Sequence, residues 1–184
     1  MRSLAVLLAS TLSMPAVAAQ WQVDHEASRL GFVATQGGAE FDGRFGDWQA
    51  SMRFDPDNLG ESRFDVEIDV TSVNTDSADR DNIIGDPEWF GFEKFPRARF
   101  ETTGFERVGD NQYLATGDLS IRSVTREIEL PFTWVSEGDS AEMDGEVVLD
   151  RTNYNVGTGD WASADMVGHE VRVVVDLSLQ RIAD

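Results

Sequence analysis

Few residues of this sequence have the types and spacing that acid–base or metal chemistry requires. The two histidines, His25 and His169, lie near opposite ends of the chain, outside the His-x-x-x-His spacing of a helical metal site. Asp86 and Glu88 flank Pro87, and paired carboxylates can carry out acid–base chemistry on sugars. Because the chain has 34 acidic residues, neighbouring carboxylates are also expected by chance. The sequence therefore predicts no catalytic residue and no metal site, and a hydrolase that uses Asp86, Glu88 or His169 is an alternative.

The segment richest in large side chains runs from residue 79 to residue 103. Five aromatic residues fall within twelve positions: Trp89, Phe90, Phe92, Phe95 and Phe100. A helix that buries one stripe would not place aromatic residues at these positions and then continue into Pro96. The pattern predicts a short polar helical turn, then an irregular aromatic crossover, then a strand entered through Pro96. Such a crossover either fills a core or lines a cavity.

Arg80 and Asp81 stand immediately before Ile83 and Ile84 in the predicted helical turn. The two isoleucines predict that one face of this turn points inward. Arg80 could then form a structural ion pair that ties the crossover to the rest of the fold. It could equally lie near the mouth of a pocket and meet a polar headgroup, and the sequence leaves both interpretations open.

Apolar and polar residues alternate along most of the chain, most clearly over residues 64–71. The pattern predicts about eight strands with short connections and two longer excursions, near 74–96 and 152–168. Since strands do not alternate with helices, the sheet should be antiparallel. Closure into a barrel would protect the sheet edges, and eight strands enclose room for side chains or one ligand. A two-sheet sandwich fits the pattern nearly as well.

The alternation changes phase between Phe45 and Trp48. Both residues are therefore predicted to face the interior, although they are three positions apart. A β-bulge at Gly46 and Asp47 would produce this change.

Residues 1–19 have the features of a secretory leader. After one positive charge, an apolar run extends from Leu4 to Leu12, and small residues allow cleavage after Ala18 or Ala19. No stretch of the chain reaches the roughly 18 apolar residues that a transmembrane helix needs. We expect a soluble, exported protein without a stable membrane anchor, whose single domain spans residues 20–184.

The composition excludes several further classes of function. The chain contains no cysteine, which excludes disulfides, thiol catalysis and thiolate metal sites. The formal net charge is -19, which would repel nucleic acid and anionic lipid surfaces. We therefore expect a core-stabilised domain with no nucleic-acid partner and no cofactor.

A set of short motifs, in this order and spacing, resembles the YceI-like family of exported polyisoprenoid-binding proteins. The resemblance extends from Trp21 to Arg181. Its signatures are Ser72-Val73-Asn74-Thr75, Arg80-Asp81, Trp89-Phe90, Phe95-Pro96 with Phe100, Gly117-Asp118-Leu119-Ser120-Ile121 with Val124-Thr125, and Asp150-Arg151 with Tyr154 and Val156-Gly157. Two departures are Ser123, where a glycine is frequent, and Gly91, where an acidic residue is common. The second departure lies beside the aromatic crossover and puts its local geometry in doubt.

The resemblance implies an all-β fold, an eight-stranded antiparallel lipocalin-like barrel with a short helix in the 78–90 crossover. It also implies that the interior holds an isoprenoid lipid or an isoprenoid quinone, and that a homodimer is possible. Our first hypothesis is a non-enzymatic periplasmic carrier or store for such a lipid. The candidate ligand-binding residues are Phe32, Phe45, Arg80, Trp89, Phe90, Phe92, Phe95, Phe100 and Trp134. The alternatives are the hydrolase with loop carboxylates and a packed barrel that serves as an interaction module.

Overall fold

The computed structural model describes residues 18–183. The predicted leader, residues 1–19, lies outside the described residues except for its last two positions and stays a prediction. Within residues 18–183 the strands are β1 (Gln20–Val23), β2 (Arg29–Gln36), β3 (Ala39–Phe45), β4 (Trp48–Arg53), β5 (Arg63–Asp69), β6 (Val73–Asn74), β7 (Arg97–Gly109), β8 (Gln112–Ile121), β9 (Val124–Glu137), β10 (Ser140–Asp150) and β11 (Glu170–Arg181). The helix α1 spans Ala78–Ile84, and 3₁₀ turns span Leu59–Glu61, Val70–Ser72, Arg151–Tyr154 and Gly159–Trp161.

These segments form one closed antiparallel barrel of eight strands. Three of the eight are interrupted, so that β1 with β2, β3 with β4, and β5 with β6 each make up one strand. Each strand pairs with the next along the chain, and β11 closes the ring. It pairs with β2 through residues 172–176 and with β1 through residues 179–181. The predicted barrel is confirmed, and the sandwich alternative is wrong because the hydrogen-bonded ring is continuous.

The predicted phase change between Phe45 and Trp48 is also confirmed. Both side chains face the interior, and the ladder is interrupted between them. The Gly46 N–H donates to the Ser72 carbonyl oxygen at 3.2 Å, and the Asp47 N–H donates to Ser72 Oγ at 2.9 Å. The interruption is wider than a one-residue bulge because the neighbouring strand is itself broken there by the 3₁₀ turn before β6.

One half of the barrel interior is filled by aromatic side chains. Phe54 is fully buried, and its ring centroid lies 4.7 to 5.7 Å from the centroids of Phe64, Phe105, Tyr113, Phe132 and Trp134. The Trp21 indole N–H donates to the Phe54 carbonyl oxygen at 3.0 Å, which satisfies a polar group at this end of the core. This packed half supplies a stable base for the rest of the barrel.

The outer face carries alternating acidic and basic side chains. On β5 and β7, Arg99 pairs with Asp65 at 2.7 Å and with Glu101 at 3.0 Å, and Arg97 pairs with Glu67 at 2.7 Å. The hydrogen bond from Arg99 holds the pKa of the Asp65 carboxyl below its usual value. Exposed pairs of this kind contribute about 0–1 kcal/mol each, so the stability of the barrel comes mainly from its interior.

Two long connections cover the other end of the barrel. We call residues 75–96, which contain α1, the crossover, and residues 151–168, which contain two 3₁₀ turns, the capping loop. The two are joined by backbone hydrogen bonds, because the N–H groups of Gly157 and Thr158 both donate to the Glu88 carbonyl oxygen at 2.8 Å. The predicted short helix is confirmed. Within residues 18–183, no helix has both the length and the apolar character needed to cross a membrane.

Strand pairing does not seal the barrel wall all the way round. The β9–β10 ladder ends at Phe132 and Gly145, and a second unsealed side lies along β3. Strand β3 pairs with β2 along residues 39–44, but with β6 only through Arg44 and Phe45. Among the described residues, positions 39–43 of β3 thus have one strand partner instead of two. The crossover covers this side through side chains, since the Arg80 guanidinium stacks on the Phe41 ring with 3.9 Å to the centroid.

Replacing Phe54 with alanine should destabilise the fold by about 3–5 kcal/mol, because a fully enclosed ring leaves a cavity that its neighbours cannot fill. Urea unfolding of the purified protein measures this loss. Val148→Ala is the matched control, since Val148 is 56% exposed on the outer face of β10, and it should change stability by less than about 0.5 kcal/mol. A similar small change for Phe54→Ala would contradict the packing described here.

Candidate functional site

The half of the barrel beneath the crossover and the capping loop encloses a cavity of about 220 Å³. Its wall consists of inward-facing residues of nine strands together with residues of both covering segments. Apart from indole N–H groups, only Gln36, Arg80, Arg151 and Tyr154 bring polar side-chain atoms to this wall. No Asp, Glu, His, Ser or Thr lines it, so the site offers burial for an apolar ligand and few groups for chemistry.

Six of the nine predicted site residues lie in the cavity wall. Phe32, Phe45 and Phe100 project from strands, whereas Arg80, Trp89 and Phe90 come from the crossover. Alternation along the strands places the first three inside, and the crossover folds inward as the aromatic pattern indicated. Their contact with a ligand stays a prediction.

The structure places the other three predicted residues away from the cavity. Phe92 packs against Gly85 and lies 6.4 Å from Phe90 between ring centroids. Phe95 lies beneath the cations of Lys94 and Arg122 on the outer side of the crossover. Trp134 is 1% exposed in the packed half of the barrel, since its position on β9 is too far from the crossover end. The prediction for Trp134 was wrong because the alternation of apolar and polar residues indicates which face of a strand is buried, but not how far along the barrel axis a residue lies. Phe92 and Phe95 belong to the irregular crossover, where no alternation indicates a face.

Gly91, the second departure from the family pattern, adopts a left-handed conformation with φ of +63°. Its carbonyl oxygen accepts hydrogen bonds from the N–H groups of Lys94 and Phe95, both at 2.9 Å. Glycine adopts this conformation without the steric cost that other residues meet. The residue therefore fits a tight turn that directs Phe92 and Phe95 outward.

Sequence reasoning missed the capping loop as part of the site. Tyr154, Val156, Trp161 and Val167 all line the cavity, although no alternation marks this segment. The available signal was a tryptophan among glycines and small polar residues in a long connection. Burial raises the pKa of the Tyr154 hydroxyl, which keeps this group neutral in the apolar wall.

Arg151 holds the capping loop together from within. It is 4% exposed and donates to the carbonyl oxygens of Val156, Gly157, Trp161, Ser163, Val167 and Gly168 at 2.7 to 3.4 Å. Burial lowers its pKa, and the Asp150 carboxylate opposes that shift. Gly157 passes so close that a Cβ there would lie 2.1 Å from Arg151 Nη1. The guanidinium therefore fixes an irregular segment into one shape.

Arg122 joins the two covering segments from outside. It lies in the β8–β9 turn and donates to the carbonyl oxygens of Trp89 at 2.6 Å and Pro87 at 3.0 Å. It also donates to the carbonyl oxygen of Asn155 in the capping loop. The crossover and the capping loop are thus held to each other and to the barrel.

Trp89 lies where these segments meet. It is 7% exposed, forms an edge-to-face contact with Trp161 at 5.4 Å, and has the Arg151 guanidinium 5.1 Å from its ring centroid. Its indole N–H is buried with no hydrogen-bond partner among the described residues. The ring therefore forms part of the cavity roof and packs mainly through apolar and cation–π contacts.

Arg80 takes a different role from the structural ion pair considered above. None of the ion pairs within residues 18–183 includes it. Its Nε donates to Gln36 Oε1 at 3.1 Å, and its Nη1 donates to the Thr75 carbonyl oxygen at 3.3 Å. Asp81 instead accepts from Thr75 N and Oγ1 at 2.9 and 2.6 Å. Arg80 therefore stands half-buried at the edge of the cavity, next to β2.

The groups considered for catalysis lie outside the cavity. Asp86 and Glu88 are exposed residues of the crossover. The His25 ring packs on Trp48 with centroids 4.4 Å apart, and His169 Nε2 lies 2.8 Å from the Ala162 carbonyl oxygen. In the described part of the chain, no group of three His, Asp or Glu residues could hold a metal ion.

Replacing Arg151 with lysine should destabilise the protein by about 3 kcal/mol. The lysine ammonium group has only three N–H donors and cannot reach all the carbonyl oxygens that surround the planar guanidinium group. Urea unfolding measures the loss, and limited proteolysis should cut the capping loop faster. Arg126→Lys is the control, since Arg126 is exposed and makes one bond, to the Asn153 carbonyl oxygen at 2.9 Å. Equal losses for both variants would contradict the role given to Arg151.

Comparisons with known proteins agree with this geometry. The model of the YceI-like domain matches residues 21–179. Protein YceI of Salmonella arizonae is 30% identical over 169 residues, which cover 85% of this chain and 86% of that protein. Among solved structures, BcnA of Burkholderia cenocepacia is 27% identical with a TM-score of 0.83, covering 85% of this chain and 99% of that one.

A further solved structure is a polyisoprenoid binding domain from Saccharophagus degradans implicated in plant cell wall breakdown. Its TM-score is 0.71 over 89% of this chain and 99% of that one, but at 14% identity it shows a shared fold alone. The family is shown by the domain model, which covers most of the chain, and by the similarity to Salmonella YceI. This chain belongs to the YceI-like family.

Proposed function

We propose that this protein binds an isoprenoid lipid inside its barrel and carries or stores it. The observation that supports this most directly is the enclosed cavity, whose wall is apolar over nearly its whole surface. Moving apolar carbon out of water is worth about 0.8 kcal/mol per CH₂ group. A lipid tail of several isoprene units therefore has almost no free population in water, and a carrier must enclose it.

The lining of the site suits an apolar chain. Aromatic rings of the crossover, including Trp89 and Phe90, form one side of the wall, and branched aliphatic residues of β11, including Val173 and Val175, form another. Such walls recognise a ligand by exclusion of water and leave its identity to a few polar groups. The Saccharophagus neighbour is named for polyisoprenoid binding, which is consistent with this class of ligand.

We infer further that the lipid is a polyisoprenoid or an isoprenoid quinone, and that the protein meets it in the periplasm after export through the predicted leader. The absence of cysteine and the strongly acidic composition are compatible with an exported protein that is stabilised by its core. Fractionation of cells that produce the full chain tests the location.

Neither alternative is supported as well by the structure. A hydrolase with loop carboxylates requires acidic groups that converge on a pocket, whereas the carboxylates of Asp86 and Glu88 do not line the cavity. A packed interaction module requires a filled barrel, but only one half of this interior is filled.

The proposal is tested by extracting the purified protein with organic solvent and identifying co-purified lipids by mass spectrometry. Protein from several expression hosts should carry polyprenyl lipid or bind it when it is added. Ala50→Phe should reduce lipid binding by filling the cavity, because Ala50 lines it, whereas Val148→Phe on the outer face should not. Protein that is always lipid-free and binds no added polyprenyl lipid would refute the proposal.

Trp89→Ala should show whether Trp89 serves mainly as part of the cavity roof or as part of the packed core. In delipidated protein it should cost less stability than Phe54→Ala, below about 3 kcal/mol, since the cavity beside it already leaves space. It should weaken lipid binding at the same time. Urea unfolding and lipid titration of the same preparation measure both effects. A large stability loss with unchanged lipid affinity in the folded fraction would remove Trp89 from the site.

A further inference from the structure

The two arginines in the cavity wall differ in how many of their donors are used. A guanidinium group has five N–H donors. Those of Arg151 are saturated, since its three nitrogens meet six carbonyl oxygens. Arg80 makes two hydrogen bonds, to Gln36 Oε1 and to the Thr75 carbonyl oxygen. Three of its five N–H groups have no acceptor among the described residues.

Arg80 also has no carboxylate partner within ion-pair distance in the described part of the chain. No carboxylate of residues 18–183 forms an ion pair with it, and the neighbouring Asp81 is occupied by Thr75. A half-buried cation beside an apolar cavity is stabilised by an anion that brings its own acceptor oxygens.

The position of Arg80 sets the orientation of a bound lipid. Arg80 and the Phe41 ring beneath it are half-buried, and Gln36 is exposed, so these residues form the outer edge of the cavity. Because Gln36 Oε1 accepts from Arg80, its amide N–H groups are left to donate in the same region. Apart from Arg151, whose donors are used within the capping loop, and the Tyr154 hydroxyl, the rest of the wall is apolar, which places the tail inside and the polar end at this edge.

Building on the proposed function, we propose that Arg80 and Gln36 bind the end group of the lipid, and that this end group is an anionic oxygen acid. Arg80 offers the oxygens of such a group a positive charge together with N–H donors that no described residue uses. A quinone, which is neutral, would leave the charge of Arg80 unpaired. A carboxylate and a phosphate monoester share the required chemistry, and the experiment distinguishes them.

The test compares four probes that carry the same twenty-carbon isoprenoid tail: geranylgeranoic acid, geranylgeranyl monophosphate, geranylgeraniol and menaquinone-4. Dissociation constants are measured on delipidated wild-type protein and on Arg80→Gln. We expect at least one of the two anions to bind the wild type about tenfold more tightly than the alcohol and the quinone, as one charge-assisted hydrogen-bonded pair would give. In Arg80→Gln this preference should fall below about twofold, while the alcohol and the quinone bind as before.

A second variant keeps Arg80 and its packing on Phe41 in place. Gln36→Glu puts a carboxylate beside the guanidinium and should remove the preference for the anion without loss of stability. Arg53→Gln is the matched control, because Arg53 is an exposed residue of β4 that does not line the cavity and its loss changes the net charge equally. This control should leave the preference intact.

Several outcomes would overturn the inference. Equal binding of all four probes to the wild type would show that no end group is recognised. Loss of the preference in Trp89→Phe but not in Arg80→Gln would place the end group at the buried indole N–H. A preference for menaquinone-4 would reject an acidic end group. If the wild type binds none of the probes, the proposed function itself fails, and this result is distinct from binding without preference.

Discussion

The structure of the site depends on one buried guanidinium group. Placing a charge in the protein interior costs several kcal/mol unless hydrogen bonds replace its lost hydration, and Arg151 meets that requirement with carbonyl oxygens alone. The same contacts satisfy the backbone of a loop that has little regular secondary structure. Since Trp89 lies over this guanidinium, the roof of the cavity is positioned by the same group. The family signature Asp150-Arg151 with Val156-Gly157 thus has a physical reason, because Gly157 leaves the room that Arg151 occupies.

One half of the barrel interior is packed and stabilises the fold, and the other half contains the cavity. Aromatic rings around Phe54 fill one half, and their burial stabilises the closed ladder. The other half keeps an unfilled volume under segments that are tied down at their edges by Arg122 and Arg151. An empty apolar cavity lowers stability through lost dispersion contacts, so a protein that keeps one needs a well-packed region elsewhere. The interruption at Gly46 and Asp47, where β3 gives way to β4, lies in the wall of the cavity half, since Phe45 and Trp48 on either side of it both line the cavity.

Much of the fold could be predicted from the sequence because alternation reports directly on which face of a strand is buried. The strands, the phase change at Phe45 and Trp48, the short helix and both excursions follow from local patterns. The site was only partly predictable. Trp134 has the right parity but lies at the wrong height, and height depends on strand stagger, which no local pattern encodes. Phe92 and Phe95 turn outward because of the left-handed Gly91, and the capping loop is placed by long-range bonds from Arg151.

Residues 39–43 of β3 lack a second strand partner in the described part of the chain, and this affects how the barrel can open. Around most of the ring, separating two strands would break a ladder of backbone hydrogen bonds, although β9 residues 124–131 and β10 residues 146–150 also lack a ladder to each other. Between β3 and α1, separation breaks only side-chain contacts, chiefly those of Arg80 with Gln36 and Phe41. The barrel can therefore open to the cavity at this point without any unfolding of its sheet. The rate at which material exchanges with the interior and the rate at which the protein unfolds are accordingly set by different parts of the molecule.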